Sequence, residues 1–386
     1  MSSRRYLRGA SAAVLALIAA LAVAAGAQAA AGRWSSADRL RTGREFMPAT
    51  ALPNGQVLVS GGFSFAGIQA SAELFDPATA RWHSAFPMKA ARFAHTATLL
   101  PNGLVLATGG ANLDDGYVAP AELFDPASGA WQPAGVLRRA RANHTASLLG
   151  DGRVLVAGGL GRRHAELRSA EIYDPQSNSW SPAATMRGAR YHHAALTLAD
   201  GRVLVTGGDR GEDDFVRAAE IYDPSRNRWT QAASMRVARA NHTATLLGDG
   251  RVLVAGGGDR APGFTRSAEV YDPATNRWRD AGNLRTERAF HVAQLLPTGE
   301  VLVAGGFSDA GTLRGAELFS PATGRWRRTG SLRAARGHAA AALVGTSVLV
   351  VGGGRVSGRL VPSAELFDSG AAPPPPASSG DATSPT

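Results

Sequence analysis

The feature of this sequence that most limits its possible folds is a repeat of 47 to 49 residues that runs through most of the chain. Each complete unit contains a pair of adjacent glycines, then an Ala-Glu run with an aromatic residue, then a tryptophan. A repeat of this length predicts similar β-units that bury their apolar surfaces against one another. The glycine pairs begin at Gly61, Gly109, Gly158, Gly207, Gly256, Gly305 and Gly352; the glutamates are Glu73, Glu122, Glu171, Glu220, Glu269, Glu317 and Glu365; the tryptophans are Trp34, Trp82, Trp131, Trp180, Trp229, Trp278 and Trp326.

Each unit divides into four short strands. In the second unit, Asn102-Gly103 predicts a two-residue hairpin turn between a first and a second strand. Second strands such as 154–157 are continuous apolar runs, a pattern typical of strands that are buried on both faces. The third strand ends in Asp-Pro, which suits a type I turn, and the fourth begins at the tryptophan. Since no helical periodicity follows residue 29, the predicted fold class is all-β.

The two ends of the repeat region predict how the array closes. Residues 33–37, with Trp34, form a fourth strand that no earlier strand precedes, whereas the last unit stops at Asp368 after its third strand. Pairing the first strand of the chain with the last unit would complete a blade and cover an open sheet edge. The sequence therefore predicts a seven-bladed β-propeller with four antiparallel strands per blade.

The N-terminal segment has the pattern of a signal peptide. Three arginines precede an uncharged run over 10–25, and Ala27-Gln28-Ala29 follows as a cleavage site. The alternative is an uncleaved membrane anchor, for which the apolar run is short. We expect a signal peptide over 1–29, a propeller over 30–368 and a disordered Pro/Ser/Gly/Thr-rich tail over 369–386. The expected location is secreted or periplasmic, with no stable membrane insertion after cleavage.

Composition narrows the chemistry. The chain has no cysteine, which excludes thiol nucleophiles and thiolate metal ligands. The formal net charge is +10, and it falls to +7 when Arg4, Arg5 and Arg8 leave with the signal peptide. Because the arginines recur with the repeat rather than in one cluster, they indicate a solvated surface and internal ion pairs, not a nucleic-acid-binding surface.

Over residues 33–368 the sequence resembles the kelch-repeat family. The resemblance depends on the double glycine that closes the second strand, the aromatic residue of the third strand and the tryptophan of the fourth. It implies a propeller but little about activity, since members include partner-binding scaffolds and enzymes such as galactose oxidase and a bacterial sialic-acid mutarotase. Galactose oxidase chemistry needs a cysteine crosslinked to a tyrosine, so the absence of cysteine excludes it, and we expect no cofactor. The third-strand aromatics are Phe75, Phe124, Tyr173, Tyr222, Tyr271, Phe319 and Phe367.

One arginine precedes the first strand of every unit, in equal number with the third-strand glutamates. We interpret the two sets as repeated, partly buried ion pairs rather than catalytic groups. The arginines are Arg44, Arg92, Arg141, Arg190, Arg239, Arg288 and Arg336.

Six histidines follow these arginines and are candidates for a ring at one mouth of the central channel. Imidazoles there could bind zinc, copper or nickel. The preferred interpretation is structural, with each ring hydrogen-bonded to a neighbouring backbone, and no metal is expected. The candidates are His95, His144, His193, His242, His291 and His338.

The loops between second and third strands are nine or ten residues long and differ sharply in character from unit to unit. Acidic groups at Asp114-Asp115 and Glu212-Asp213-Asp214 could bind calcium but lack the spacing of a calcium loop, so they are interpreted as solvated charge. Variable loops on a repeated scaffold suit recognition. The binding candidates are Phe65, Tyr117, Arg162, Arg163, His164, Arg210, Phe215, Arg260 and Phe264.

The hypothesis from sequence is a non-catalytic, monomeric binding module that acts outside the cytoplasm on an extracellular protein or a glycan. No residue is assigned a catalytic role. The alternatives are a carbohydrate-active propeller enzyme similar to the mutarotase, which only fold analogy suggests, and a purely structural spacer.

Overall fold

The strands of the protein form four-stranded antiparallel sheets that follow one another around a closed ring. The computed structural model describes residues 32–112, 116–211, 214–259 and 263–371. Over these residues there are seven such sheets, and the first strand of each contacts the first strands of both neighbours. The predicted seven-bladed all-β propeller is therefore confirmed, with the first strands surrounding the central axis.

The blades share one strand order, and corresponding strands have similar bounds. The first strands are Ala49–Ala51, Thr96–Leu99, Thr145–Leu148, Ala194–Thr197, Thr243–Leu246, Val292–Leu295 and Ala340–Val344. The second strands are Val57–Ser60, Val105–Thr108, Val154–Ala157, Val203–Thr206, Val252–Ala255, Val301–Ala304 and Ser347–Val351. The third strands are Ala72–Asp76, Pro120–Asp125, Ala170–Asp174, Ala219–Asp223, Ser267–Asp272, Ala316–Ser320 and Ser363–Asp368. The fourth strands are Arg81–Ala85, Ala130–Val136, Ser179–Ala183, Arg228–Gln231, Arg277–Asn283, Arg325–Arg328 and, in the seventh blade, Arg33–Arg39.

The hydrophobic core lies between neighbouring blades. Between the third and fourth blades, Leu155 and Ile172 of one sheet pack with Val203, Tyr222 and Trp229 of the next. Second strands such as Val154–Ala157 are buried along their whole length because a sheet covers each of their two faces. This explains why their sequences are continuously apolar.

The ring closes as predicted, through the strand that precedes the first full unit. Arg33–Arg39 pairs antiparallel with Ser363–Asp368, and Trp34 lies opposite Phe367 in the register. The seventh blade therefore joins strands from both ends of the propeller sequence, and its third strand gains a neighbour where a sheet edge would otherwise be exposed.

The connections occupy two faces. The first-to-second and third-to-fourth turns share the turn face, where Asp151 and Gly152 lie near Asp174 and Pro175. The opposite, loop face carries the second-to-third loops and the links that lead from each fourth strand to the next blade. On this face, three loops form short hairpins and one forms a 3-10 turn over Arg162–His164.

Two predicted segments lie outside the described residues, namely the signal peptide over 1–29 and the tail beyond residue 371. Ser369, placed by sequence at the start of that tail, is buried and donates a hydrogen bond of 2.6 Å to the Thr346 carbonyl.

Among the residues that the structure describes, no helix has the length and apolarity needed to cross a bilayer.

Candidate functional site

A buried arginine–glutamate ion pair fixes the link of every blade. Within the described residues there are seven such pairs, with nitrogen–oxygen distances of 2.6 to 2.9 Å. In the third blade, the Arg141 guanidinium contacts Glu171 and also donates to the Gly158 and Ser169 carbonyls. Glu171 in turn accepts hydrogen bonds from the backbone N–H groups of Arg138 and Arg139. The predicted ion pairs are therefore confirmed, and they hold the link backbone rigidly at the loop face.

The residue two positions after each arginine lines the mouth of the channel, and we call this set the mouth ring. Each member has a left-handed backbone, with φ between 52° and 55°. Each backbone N–H donates to the carbonyl of the equivalent residue in the preceding blade, at 2.9 to 3.4 Å, so the hydrogen bonds form a closed circle. The mouth ring consists of Phe46, Ala94, Asn143, His192, Asn241, Phe290 and His338.

Aromatic side chains of the mouth ring meet near the axis. The His338 imidazole lies 3.9 Å from the Phe46 ring centre and 4.3 Å from that of Phe290. Phe307, from a second-to-third loop, packs on the same imidazole at 5.0 Å. Contact between His192 and Phe290, whose ring centroids are 6.1 Å apart, bridges blades that are not neighbours. These rings narrow the channel mouth and form an aromatic surface.

His338 and Glu45 form an acid–base pair at this mouth. His338 Nδ1 lies 3.2 Å from Glu45 Oε2, and both side chains are largely buried. His338 Nε2 is buried without a hydrogen-bond partner among the described residues. Because Glu45 fixes the ring orientation, this histidine is held in a single position.

The other five histidine candidates do not line the channel mouth, so that prediction is wrong for them. They follow the mouth-ring residue by one position and are buried between blades. Each Nε2 lies 2.8 to 3.3 Å from a serine or threonine hydroxyl of the preceding blade, not from the backbone as predicted. Burial, and then the neighbouring arginine, lowers the pKa of each imidazole well below its usual value, and for His291 to about 3. The five are His95, His144, His193, His242 and His291.

A cleft of about 510 Å³ opens beside the mouth, between the second and third blades. It is continuous with the aromatic surface, because the Phe93 ring in its wall also packs on Phe46 with centroids 6.1 Å apart. Tyr117 and His164 are joined across it by a 2.9 Å contact between Oη and Nδ1. The aromatic, polar and basic side chains that line the cleft are those of Phe93, Tyr117, Asn143, Arg162, Arg163 and His164.

The structure brings four of the predicted loop-face residues together in this cleft, namely Tyr117 and Arg162 to His164. Others lie elsewhere on the same face: Phe65 is 78% exposed in the first loop, and Arg210 is exposed in the fourth.

Phe215 and Phe264 both lie beside Gly258 in the fourth and fifth blades, away from the cleft. Arg260 lies outside the described residues.

Sequence reasoning placed His338 at the channel mouth but missed the rest of the mouth ring and the position before it. Between the constant arginine and the position that is histidine in five blades, each unit carries two residues that vary between units, as in Glu45-Phe46, Phe93-Ala94 and Tyr191-His192. Variation confined to two adjacent positions in otherwise similar repeats could have identified them as site residues.

Comparison with known proteins agrees with the fold. The sequence model of the KLHDC2/KLHL20/DRC7 Kelch-repeats domain matches residues 94–295. A solved structure of a fungal alcohol oxidase of the AA5 family, in complex with copper, is similar at 20% identity and a TM-score of 0.72, covering 89% of this chain and 79% of that one. The structure of YjhT is similar at 15% identity and a TM-score of 0.60, covering 76% of this chain and 99% of that one. A search of curated proteins gives no match.

At such identities, the likeness to the two solved structures shows the fold alone. In the part of this chain that the structure describes, no group of three or more histidine, aspartate or glutamate side chains is placed to hold a metal ion.

Proposed function

The chain belongs to the kelch-repeat family, and we propose that its propeller is a non-catalytic binding module that recognises a protein or a glycan through its loop face. The observation that carries this proposal is the cleft of about 510 Å³ beside the channel mouth. Its lining comes from positions that differ between blades, while the ion pairs beneath it recur in every blade. A repeated scaffold that presents a non-repeated concave surface suits selective binding.

The rigidity of the surface supports the same proposal. The closed circle of backbone hydrogen bonds and the buried ion pairs fix the links before any ligand arrives. A preorganised surface loses little conformational entropy on binding, so more of the contact energy contributes to affinity.

We place this activity outside the cytoplasm, as a monomer. The support is the sequence pattern of residues 1–29, which is typical of a signal peptide. Mass spectrometry of exported material should find an N-terminus near Ala30, and recovery of residues 1–29 in it would contradict export by this route.

Paired substitutions on the two faces test the binding proposal. We expect Arg162→Ala with Arg163→Ala, in the cleft, to weaken binding of the partner without lowering the melting temperature. Phe215→Ala with Phe264→Ala tests whether the loop face beyond the cleft also contributes to binding. Asp151→Ala on the turn face is the control and should leave binding intact. Equal binding by all of these variants would contradict the proposal that the loop face is the binding surface.

The Glu45–His338 pair favours a second candidate, a carbohydrate-active enzyme of mutarotase type. A carboxylate that orients an imidazole is an arrangement used for proton transfer. NMR measurement of anomer exchange in sugars tests this candidate. Exchange that is accelerated by the parent protein and abolished by His338→Gln, but not by Arg162→Ala, would establish it in place of the binding module.

A further inference from the structure

We propose that the cleft between the second and third blades binds acidic saccharides, with Arg162 and Arg163 holding the carboxylate. This inference rests on the proposed binding function and names its ligand class. A cleft of about 510 Å³ has the size of a small-ligand site, which is roughly 300 to 1,000 Å³. It accommodates one or two sugar rings, whereas a stable protein partner needs a contact surface of about 800 Å².

Exposed positive charge in the cleft is the first argument for an anionic ligand. Arg162 and Arg163 are exposed, and neither forms an ion pair with any residue that the structure describes. The seven arginines beneath the loop face are, by contrast, all paired with glutamates. A guanidinium matches the planar geometry of a carboxylate with two parallel hydrogen bonds.

The backbone of the third-blade loop gives an independent argument. Arg163 and His164 have φ values of 59° and 57°, a left-handed conformation that is costly for residues with a Cβ. Second-to-third loops in other blades use glycine where φ is positive, as at Gly67 and Gly311. Strain of this kind concentrates at functional sites, where the surrounding structure holds it in place. The loop therefore keeps two cationic or hydrogen-bonding side chains where glycine would be more stable.

The remaining lining suits a sugar ring. Tyr117 and His164 hold each other through the 2.9 Å contact and leave further hydrogen-bonding capacity for hydroxyl groups. The amide of Asn143 offers both a donor and an acceptor, and the Phe93 ring offers an apolar surface for the C–H groups of a pyranose. Polar groups that converge around an aromatic side chain fix the orientation of a small ligand.

The backbone groups around the cleft argue against an acidic peptide. Phe93 and Ala111 exchange hydrogen bonds of 2.9 and 3.0 Å, and Ala142 and Leu160 exchange bonds of 2.8 and 2.9 Å. An extended peptide binds through backbone N–H and C=O groups of the protein that are not already hydrogen-bonded. The backbone groups of these four residues are already paired with each other, so they are not available to a peptide. Ligand recognition here depends on side chains, as it does for a saccharide.

Isothermal titration calorimetry of the purified protein tests the proposal with defined probes. The probes are a galacturonic acid disaccharide and a hyaluronan disaccharide, each compared with its carboxyl-reduced form, and a peptide of three glutamates. We expect at least one acidic saccharide to bind tenfold or more tightly than its reduced form. Arg162→Ala with Arg163→Ala should remove that difference, and Arg153→Ala on the turn face should preserve it.

A glycine substitution separates a binding role from a structural one. Arg163→Gly relieves the left-handed strain, so its melting temperature should equal or exceed that of the parent, while its affinity for the acidic saccharide should fall tenfold or more. A lower melting temperature with unchanged affinity would overturn the role assigned to Arg163.

The other outcomes are equally decisive. Equal binding of acidic and reduced saccharides, unaffected by the arginine substitutions, would overturn the anionic ligand class while leaving the proposed binding function in place. Binding of the glutamate peptide alone, or of none of the probes, would overturn the assignment to saccharides. The proposed function itself is tested separately, by partner binding of the variants on the two faces and by the anomer-exchange measurement described above.

Discussion

Trp34 packs its indole on the ring of Phe367 with 5.1 Å between the ring centroids, although the two residues lie at opposite ends of the propeller sequence. The corresponding tryptophan and third-strand aromatic of the other six blades are 4.9 to 5.2 Å apart. The Trp34 indole N–H also donates to the Gly330 carbonyl of the preceding blade at 2.7 Å, as the other tryptophans do to theirs. The closing blade therefore reproduces the packing of a continuous one.

Trp34→Ala should destabilise the protein by about 3 to 5 kcal/mol, because it removes a buried aromatic ring and leaves a cavity. Urea unfolding followed by intrinsic fluorescence measures the loss. Phe65→Ala is the control, since that ring is 78% exposed and its removal should change stability by less than about 0.5 kcal/mol. Similar stability of the two variants would mean that the N-terminal strand does not lock the ring.

Arg141→Ala should cost about 3 to 5 kcal/mol, because it leaves the Glu171 carboxylate buried without its charge partner. The matched control is Arg153→Ala, which removes an exposed ion pair with Asp151 in the same blade. That change should cost no more than about 1 kcal/mol. Comparable losses in the two variants, measured by chemical denaturation, would show that burial does not determine the contribution of these pairs.

Stability should decrease as the pH falls below about 6.5. The five histidines buried between blades have pKa values lowered well below 6.5 in the folded protein, and unfolding returns them to about that value. Below this pH the unfolded chain binds protons that the folded protein does not, so the stability that these histidines contribute above pH 6.5 is lost progressively as the pH falls toward their lowered pKa values, which for His291 is about 3. The free energy of unfolding at pH 7, 6 and 5 measures this loss before most carboxylates of the unfolded chain begin to titrate.

Replacing one of these histidines tests the cause. His144→Gln should reduce the dependence of stability on pH by up to about 1.4 kcal/mol per pH unit. His83→Gln, the same replacement at an exposed side chain on a fourth strand, controls for the substitution itself. An unaltered slope in the His144 variant would assign the pH dependence to other groups.

Gly158→Ala should cost about 3 kcal/mol or more. A Cβ at this residue would lie 2.6 Å from the Arg190 carbonyl oxygen and 2.6 Å from a carbon of the His193 ring, in addition to the strain of φ +67°. Gly201 has a similar φ of +83°, but a Cβ added there would meet no atom within 4 Å. Gly201→Ala should therefore cost only about 1 kcal/mol. Equal melting temperatures for the two variants would show that the close approach of backbone at the double glycine is unimportant.

The repeat itself determined much of this architecture. Continuous apolar second strands, Asn-Gly and Asp-Gly turns, and the tryptophan of each fourth strand specify similar local structure in every unit, so the strand order and blade count follow from pattern alone. The equal numbers of arginines and glutamates predicted the buried ion pairs, and the incomplete units at the two ends predicted the partnership of Trp34 with Phe367. Each of these predictions concerns a residue whose environment is repeated.

Only the tertiary structure decided which residues meet at the candidate site. Ring closure brings links from distant parts of the chain to one axis, and the left-handed backbone of the mouth ring turns His338 toward that axis while His144, one position later in its own unit, is buried between blades. In a strand, the alternation of polar and apolar residues shows which side chains face the core. An irregular link has no such pattern, so its sequence does not show which of two adjacent side chains faces the axis. The contacts of Glu45 with His338 and of Tyr117 with His164 join different blades, and neither pair of residue types recurs at the same positions of other units. They depend on the geometry of the closed ring, which no single repeat contains.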